Sequence, residues 1–303
     1  MAAGDPLLEP LLACNSEMPI LYHTDSSYYS SIVRLALEEK GVEWRSREVD
    51  IHGRLEQLQD WYMKISPGAC VPTLVHKGVA VPESLDIIRY IDATFDTGIG
   101  LTPPDPVTKL EMESCIKAAS EFDVEGMTMG YAADWNFLFK IVGTRVIGGT
   151  IPKLAKMKMV HPDLAEVVDR KIAQNKKRIA DIFGPPNGFQ RGLASFSLCL
   201  DAISAQLDKS GGPFVCGKQY TLADVLFTAA LARGNWIRPG RDEIAARPCV
   251  AEYWKTLQER PSCRPDIVMT TFRVPAKVKQ KILPRLGLLM TAIGVAITWK
   301  MVH

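Results

Sequence analysis

A short apolar run, Ile20-Leu21-Tyr22-His23, enters a polar turn and then an amphipathic segment that stops at Gly41. This strand–turn–helix unit constrains the chain more than any other feature. The run suits a buried strand. From Ser30 to Lys40, the apolar positions Ile32, Val33, Leu35, Ala36 and Leu37 predict a helix, and Gly41 supplies the left-handed stop just past its end. Trp44 to Val49 alternates and predicts a second strand. Val71 to His76 and Val79 to Val81 flank Lys77-Gly78, which predicts a hairpin. Glu83 to Phe95 predicts a helix with Leu85, Ile87, Ile88 and Ile91 on its apolar faces.

That order of elements is a thioredoxin-like layer over 19–97, preceded by a leader, 1–18. Residues 98–108 contain Pro103, Pro104 and Pro106 and predict a linker. From 109 to 270 the pattern is helical, with a helical insertion at 134–183. The expected fold is an α/β thioredoxin-like N-terminal domain plus an all-α C-terminal bundle. Residues 271–303 form a basic segment and an apolar tail. The 303 residues allow two cores, and the net charge of +2 argues against a nucleic-acid partner. The seven cysteines are scattered without C-x-x-C spacing, so they predict reduced thiols and neither a disulfide framework nor a metal site. Met1 to Pro19 has no basic n-region, so no signal peptide is expected.

The chemistry points to the turn after the first strand. A helix N-terminus presents unsatisfied N–H groups and a positive dipole end. A Ser there can donate to a thiolate and favour the charged, nucleophilic form. Ser27 and Ser30 are placed for this, and they are equally placed as N-caps. Val71-Pro72 opens a strand and offers either a backbone edge for an extended peptide or an ordinary edge proline. Glu83-Ser84 opens a helix and offers a carboxylate and ammonium site, or simply a cap. Cys70, beside that edge, reads as a buried small side chain or as a thiol able to form a mixed disulfide.

Taken in order, Leu21-Tyr22-His23, Ser27, Val33 to Gly41, Ser66-Pro67, Val71-Pro72-Thr73-Leu74 and Glu83-Ser84 resemble the glutathione transferase superfamily. Thr221-Leu222-Ala223-Asp224 resembles its T-x-A-D helix start, a capping box in physical terms. Tyr253-Trp254 and Arg260-Pro261-Ser262 fit its last helices. The segment before His161-Pro162-Asp163-Leu164 and the Lys-rich helix after it resemble the tetrachlorohydroquinone dehalogenase-like transferases and the tail-anchored ganglioside-induced differentiation-associated proteins.

The resemblance implies glutathione as co-substrate, with Ser27 as the thiol-activating residue. It implies Val71 and Pro72 for the cysteinyl backbone, Glu83 and Ser84 for the γ-glutamyl end, and Lys64 as a further contact. Two departures stand out: Ser66 where Asn is common, and Pro82 directly before Glu83. The implied activity is conjugation of glutathione to apolar electrophiles, or their reductive dehalogenation, at a membrane surface. The alternative is an adaptor that keeps the fold with weak or no turnover. Ser27 and Ser30 stand where a thiol–disulfide oxidoreductase would want cysteines. A homodimer is in keeping with the superfamily.

Leu286 to Trp299 is uncharged, and Arg273, Lys277, Lys279, Lys281 and Arg285 precede it. This predicts a C-terminal transmembrane helix, with a surface-lying helix or one packed on the bundle as alternatives. The expected location is the mitochondrial outer membrane, with peroxisome and endoplasmic reticulum as alternatives.

Overall fold

The computed structural model describes residues 17–268, except 52, 53, 136 and 185–187. The leader before residue 17 and the segment after 268 lie outside the described residues. The chain forms two compact units. One runs to Gly100 and takes in Arg145–Ile179; the other holds Leu101–Thr144 and resumes at Ala180.

The first unit is built on a four-stranded sheet of order β2-β1-β3-β4. Its strands are β1 (Ile20–His23), β2 (Arg45–Glu48), β3 (Thr73–His76) and β4 (Val79–Pro82). β1 pairs in parallel with β2 and antiparallel with β3, which pairs antiparallel with β4. Between them run helices α1 (Tyr28–Glu39), α2 (Asp60–Ile65) and α3 (Ser84–Thr94). Side chains alternate across the sheet. Ile20, Tyr22 and Val75 therefore share one face and pack with Val49 and with Tyr62 and Ile65 of α2. Leu21 and Leu74 point to the other face and are fully buried. Three backbone positions explain two of the turns. Gly41 has φ +61° just beyond α1, as the sequence predicts. Lys77 and Gly78 have φ +50° and +74°, the two positive values that a type I′ hairpin turn needs.

Residues 134–158, the first part of the insertion expected at 134–183, do not form a single helix. α5 (Tyr131–Trp135) and α6 (Phe137–Gly148) are followed by α7 (Thr150–Val160), with the break at Gly149. α8 (Ala165–Phe183) then carries the Lys-rich segment. Leu154, Leu164 and Val168 from this part of the chain are buried together with Met63 of α2 and Ala69 of the loop after it. That shared core is why Arg145–Ile179 belongs with the sheet.

The second unit contains α4 (Pro106–Ser120), α9 (Gly188–Ser210), α10 (Leu222–Gly234), α11 (Arg238–Ala245) and α12 (Pro248–Gln258). α10 is buried along nearly its whole length, Arg233 excepted. Asp224 fixes its start. The carboxylate accepts from Thr221 N (2.8 Å), Val215 N (3.1 Å) and Tyr253 Oη (2.7 Å). Burial pushes this carboxyl upward, and those three donors oppose the shift.

The expected transmembrane helix is not borne out by the described residues. Among the described residues no helix is long and apolar enough to cross a membrane. The two longest, α8 and α9, carry charges such as Arg170, Lys171, Lys176, Asp201 and Asp208 along their length. Leu286 to Trp299 lies outside the described residues and is shorter than the roughly 20 apolar residues that a span requires.

Candidate active site

The sheet brings the separate motifs to one end. β1 and β3 are antiparallel, with Tyr22 opposite Thr73, so the turn leaving β1 adjoins the chain entering β3. β4 ends with Pro82 opposite Thr73, so Glu83 and Ser84 arrive at the same end. Ser27, Val71-Pro72 and Glu83-Ser84 are far apart in sequence, yet they share this end of the sheet.

Ser27 caps α1. Its backbone is extended (φ −75°, ψ 125°) and its Oγ accepts from Ser30 N at 3.2 Å. Only the oxygen's acceptor capacity is used there, so the hydroxyl proton remains able to point at an anion. Capping and thiolate donation, alternatives in the sequence, are therefore compatible roles for one side chain. Ser27 is half-buried at the mouth of the helix.

Behind the turn lies a charge that is not among the site residues the sequence suggests. Arg34, 2% exposed, reaches back from α1. Its Nη1 meets His23 Nδ1 at 3.1 Å and Thr24 O at 3.4 Å, and its Nη2 donates to Asp25 O at 3.1 Å. Burial, followed by the Arg34 charge, pushes the His23 imidazole down to about 4. His23 is thus neutral at pH 7. Its Nδ1 accepts from Arg34, and its Nε2–H can donate to Ser46 Oγ at 2.8 Å. The signal available in the sequence was an arginine inside the apolar run Val33-Arg34-Leu35.

The Val71–Pro72 bond is cis. The loop before it is tied down by hydroxyls. Ser66 Oγ donates to Cys70 O at 3.0 Å, and Tyr62 Oη donates to the same oxygen at 2.8 Å. Ser66, the departure from the usual Asn, thus has a defined task. Tyr62 is buried, which pushes its hydroxyl well above the usual phenol range. Glu83 has φ +65°, an uncommon conformation for a residue with a side chain and one that tends to occur at functional sites. Ser84 begins α3. A Cβ added to Gly68 would stand 3.5 Å from Glu83 Oε1, so the Pro67-Gly68 loop lies against that carboxylate.

Lys64 pairs with Asp60 at 3.0 Å, one turn back along α2. A cation that meets the loop before Val71 is Lys171 of α8. Its Nζ donates to Gly68 O at 3.2 Å and lies 3.0 Å from Cys70 Sγ. Cys70 is exposed, which corrects the reading of it as a buried side chain. Among the described residues, no group of three or more His, Cys, Asp or Glu could hold a metal ion.

Comparison with known proteins matches residues 26–94 to "Glutathione S-transferase, N-terminal domain" and 194–264 to "Glutathione S-transferase, C-terminal domain". The chain is 26% identical over 243 residues to Glutathione S-transferase TCHQD of Arabidopsis thaliana, covering 80% of this chain and 86% of that protein. It is 26% identical over 273 residues to human Ganglioside-induced differentiation-associated protein 1-like 1, covering 80% and 72%. The solved structure of the beta-etherase LigF from Sphingobium sp. strain SYK-6 superposes with a TM-score of 0.61 at 24% identity, over 82% of this chain and 98% of that one; it shares the fold. With both family domains matched in order and the T-x-A-D capping box intact, the chain belongs to the glutathione transferase superfamily.

Proposed function

We propose that the protein conjugates glutathione to apolar electrophiles, with Ser27 stabilising the glutathione thiolate. The observation that supports this most is the meeting of Ser27, Val71 and Glu83-Ser84 at one end of the sheet. In this reading glutathione lies extended along Val71. The γ-glutamyl ammonium meets the Glu83 carboxylate, and the γ-glutamyl carboxylate meets Ser84 and the first N–H groups of α3. The thiol reaches the N-terminus of α1. There the Ser27 hydroxyl donates to the sulfur, with the helix dipole and the buried Arg34 charge behind it.

A hydrogen bond to a charged group contributes about 1.5–3 kcal/mol, enough to lower a thiol by roughly one to two pKa units. The thiolate then attacks the electrophilic carbon. The C–S bond forms from the sulfur lone pair, and the leaving group departs with its own electron pair. The Ser27 proton is shared throughout and is not transferred.

The test is Ser27→Ala, read by thiolate absorbance of bound glutathione and by turnover of a chromogenic aryl halide. The expected result is a fall of about ten- to a hundred-fold in turnover at neutral pH, recovered as pH rises, with glutathione affinity little changed. An unaltered pH–rate profile would remove Ser27 from this role.

A further inference from the structure

Lys171 lies on the packed side of α8. Leu164, Val168 and Lys171 follow one another at spacings of four and three, which places them on one helical stripe. Leu164 and Val168 fill a core with Met63 and Ala69. The third position would ordinarily be apolar. Instead it carries an ammonium, half-buried and delivered to the loop that opens β3.

Its two hydrogen-bond partners are the Gly68 carbonyl and the Cys70 sulfur. An ammonium has three donors, so one remains, and among the described residues no carboxylate is in ion-pair contact with it; the Glu83 carboxylate lies against Gly68 of the same loop. The ammonium is only partly buried, so it remains open to a ligand from solvent. An anionic ligand at this spot would supply a charge-assisted partner for the remaining donor.

The register indicates which anion. Glu83-Ser84 follows Pro82, and Pro82 pairs with Thr73. A glutathione molecule anchored by its γ-glutamyl end at Ser84, with its cysteinyl unit opposite Val71, must extend its glycyl end to the Cys70 side. Glutathione carries two carboxylates. The γ-glutamyl one is accounted for by Ser84 and the start of α3, which leaves the glycyl one opposite Cys70, where Lys171 stands.

We propose that Lys171, supplied by the helical insertion and not by the sheet domain's own sequence, binds the glycyl carboxylate of glutathione. This rests on the groove reading given above. It makes α8 part of the glutathione site and makes that site selective for a tripeptide with a free C-terminal carboxylate.

The test is calorimetric titration of the full chain with glutathione and with its glycyl monoethyl ester. The proteins are wild type, Lys171→Ala and Lys171→Arg, each checked for an unchanged melting profile. Lys171→Ala should bind glutathione about ten-fold more weakly or worse, since a charge-assisted bond is lost. The ester should bind wild type and Lys171→Ala alike, because the carboxylate is already gone. Lys171→Arg should recover much of the affinity. Unchanged glutathione binding in Lys171→Ala, or equal weakening of glutathione and ester, would overturn the assignment while leaving the groove intact. Failure of wild type to bind glutathione would overturn the groove reading, and this assignment with it.

Discussion

Acidification should destabilise this fold through His23, and the size of the effect follows from the structure. The imidazole is 3% exposed and stands beside the Arg34 guanidinium, and its pKa is pushed down from 6.5 to about 4. In the unfolded chain it protonates near its ordinary value. Below pH 6.5 the unfolded state therefore binds a proton that the native state refuses, and stability falls as pH falls. The loss begins near pH 6.5 and is complete near pH 4. Its full extent is about 3 kcal/mol, of which roughly 2.5 kcal/mol is lost by pH 4.5. That is a large share of the 5–15 kcal/mol typical of a folded domain, roughly speaking. The assay is urea denaturation at several pH values between 7.5 and 4.5, with His23→Asn as the comparison. Asn can offer Arg34 an acceptor but does not titrate. Asp224 is raised by burial and acts in the opposite sense, yet it is common to both proteins and cancels. The wild-type curve should therefore drop relative to the variant as pH falls. Parallel curves across this window would refute the reasoning.

Two further outcomes are expected. Leu154→Ala should cost about 3 kcal/mol by chemical denaturation, because Leu154 is 1% exposed in the core shared by α7, α8 and α2. It should also speed protease cleavage between residues 145 and 179, and a resistant insertion would contradict that packing. Tyr62→Phe removes one of the two hydroxyls on Cys70 O and should lower stability by about 1 kcal/mol. If Cys70 O orders the ligand edge, glutathione affinity should fall as well, and calorimetry should detect it.

The parts of this fold that could be read in the sequence are those with local causes. Gly41 ends α1, Lys77-Gly78 makes the hairpin, and Thr221 with Asp224 opens α10; each depends on residues within one turn of chain. Ser27 was legible for the same reason, since a cap and the helix it starts are neighbours. Arg34 was visible as an odd residue in an apolar run, but its targets, His23 and two carbonyls, appear only once the turn folds back. Lys171 carried a weaker signal, its spacing from Leu164 and Val168. A lysine on a Lys-rich helix reads as a solvated face, and its contact with Cys70 spans 101 residues. The apolar side of that helix is obvious in the sequence, but what it packs against is not. The tail lies outside the described residues: an uncharged run behind a basic flank suggested a membrane span, and none of the described helices has the length and apolarity for one.

The 101-residue separation between Cys70 and Lys171 also sets an order of events during synthesis. All four strands are encoded before Glu83, but Leu154, Leu164, Val168 and Lys171 leave the ribosome much later. At roughly 5–20 residues per second, that delay is on the order of 5–20 seconds. During this interval the nascent sheet must wait with Met63 and Ala69 uncovered, an apolar face open to chaperones and to other chains. Maturation of this half of the protein is thus timed by the translation of its distant second segment, and slow codons between residues 100 and 145 should lengthen the vulnerable period.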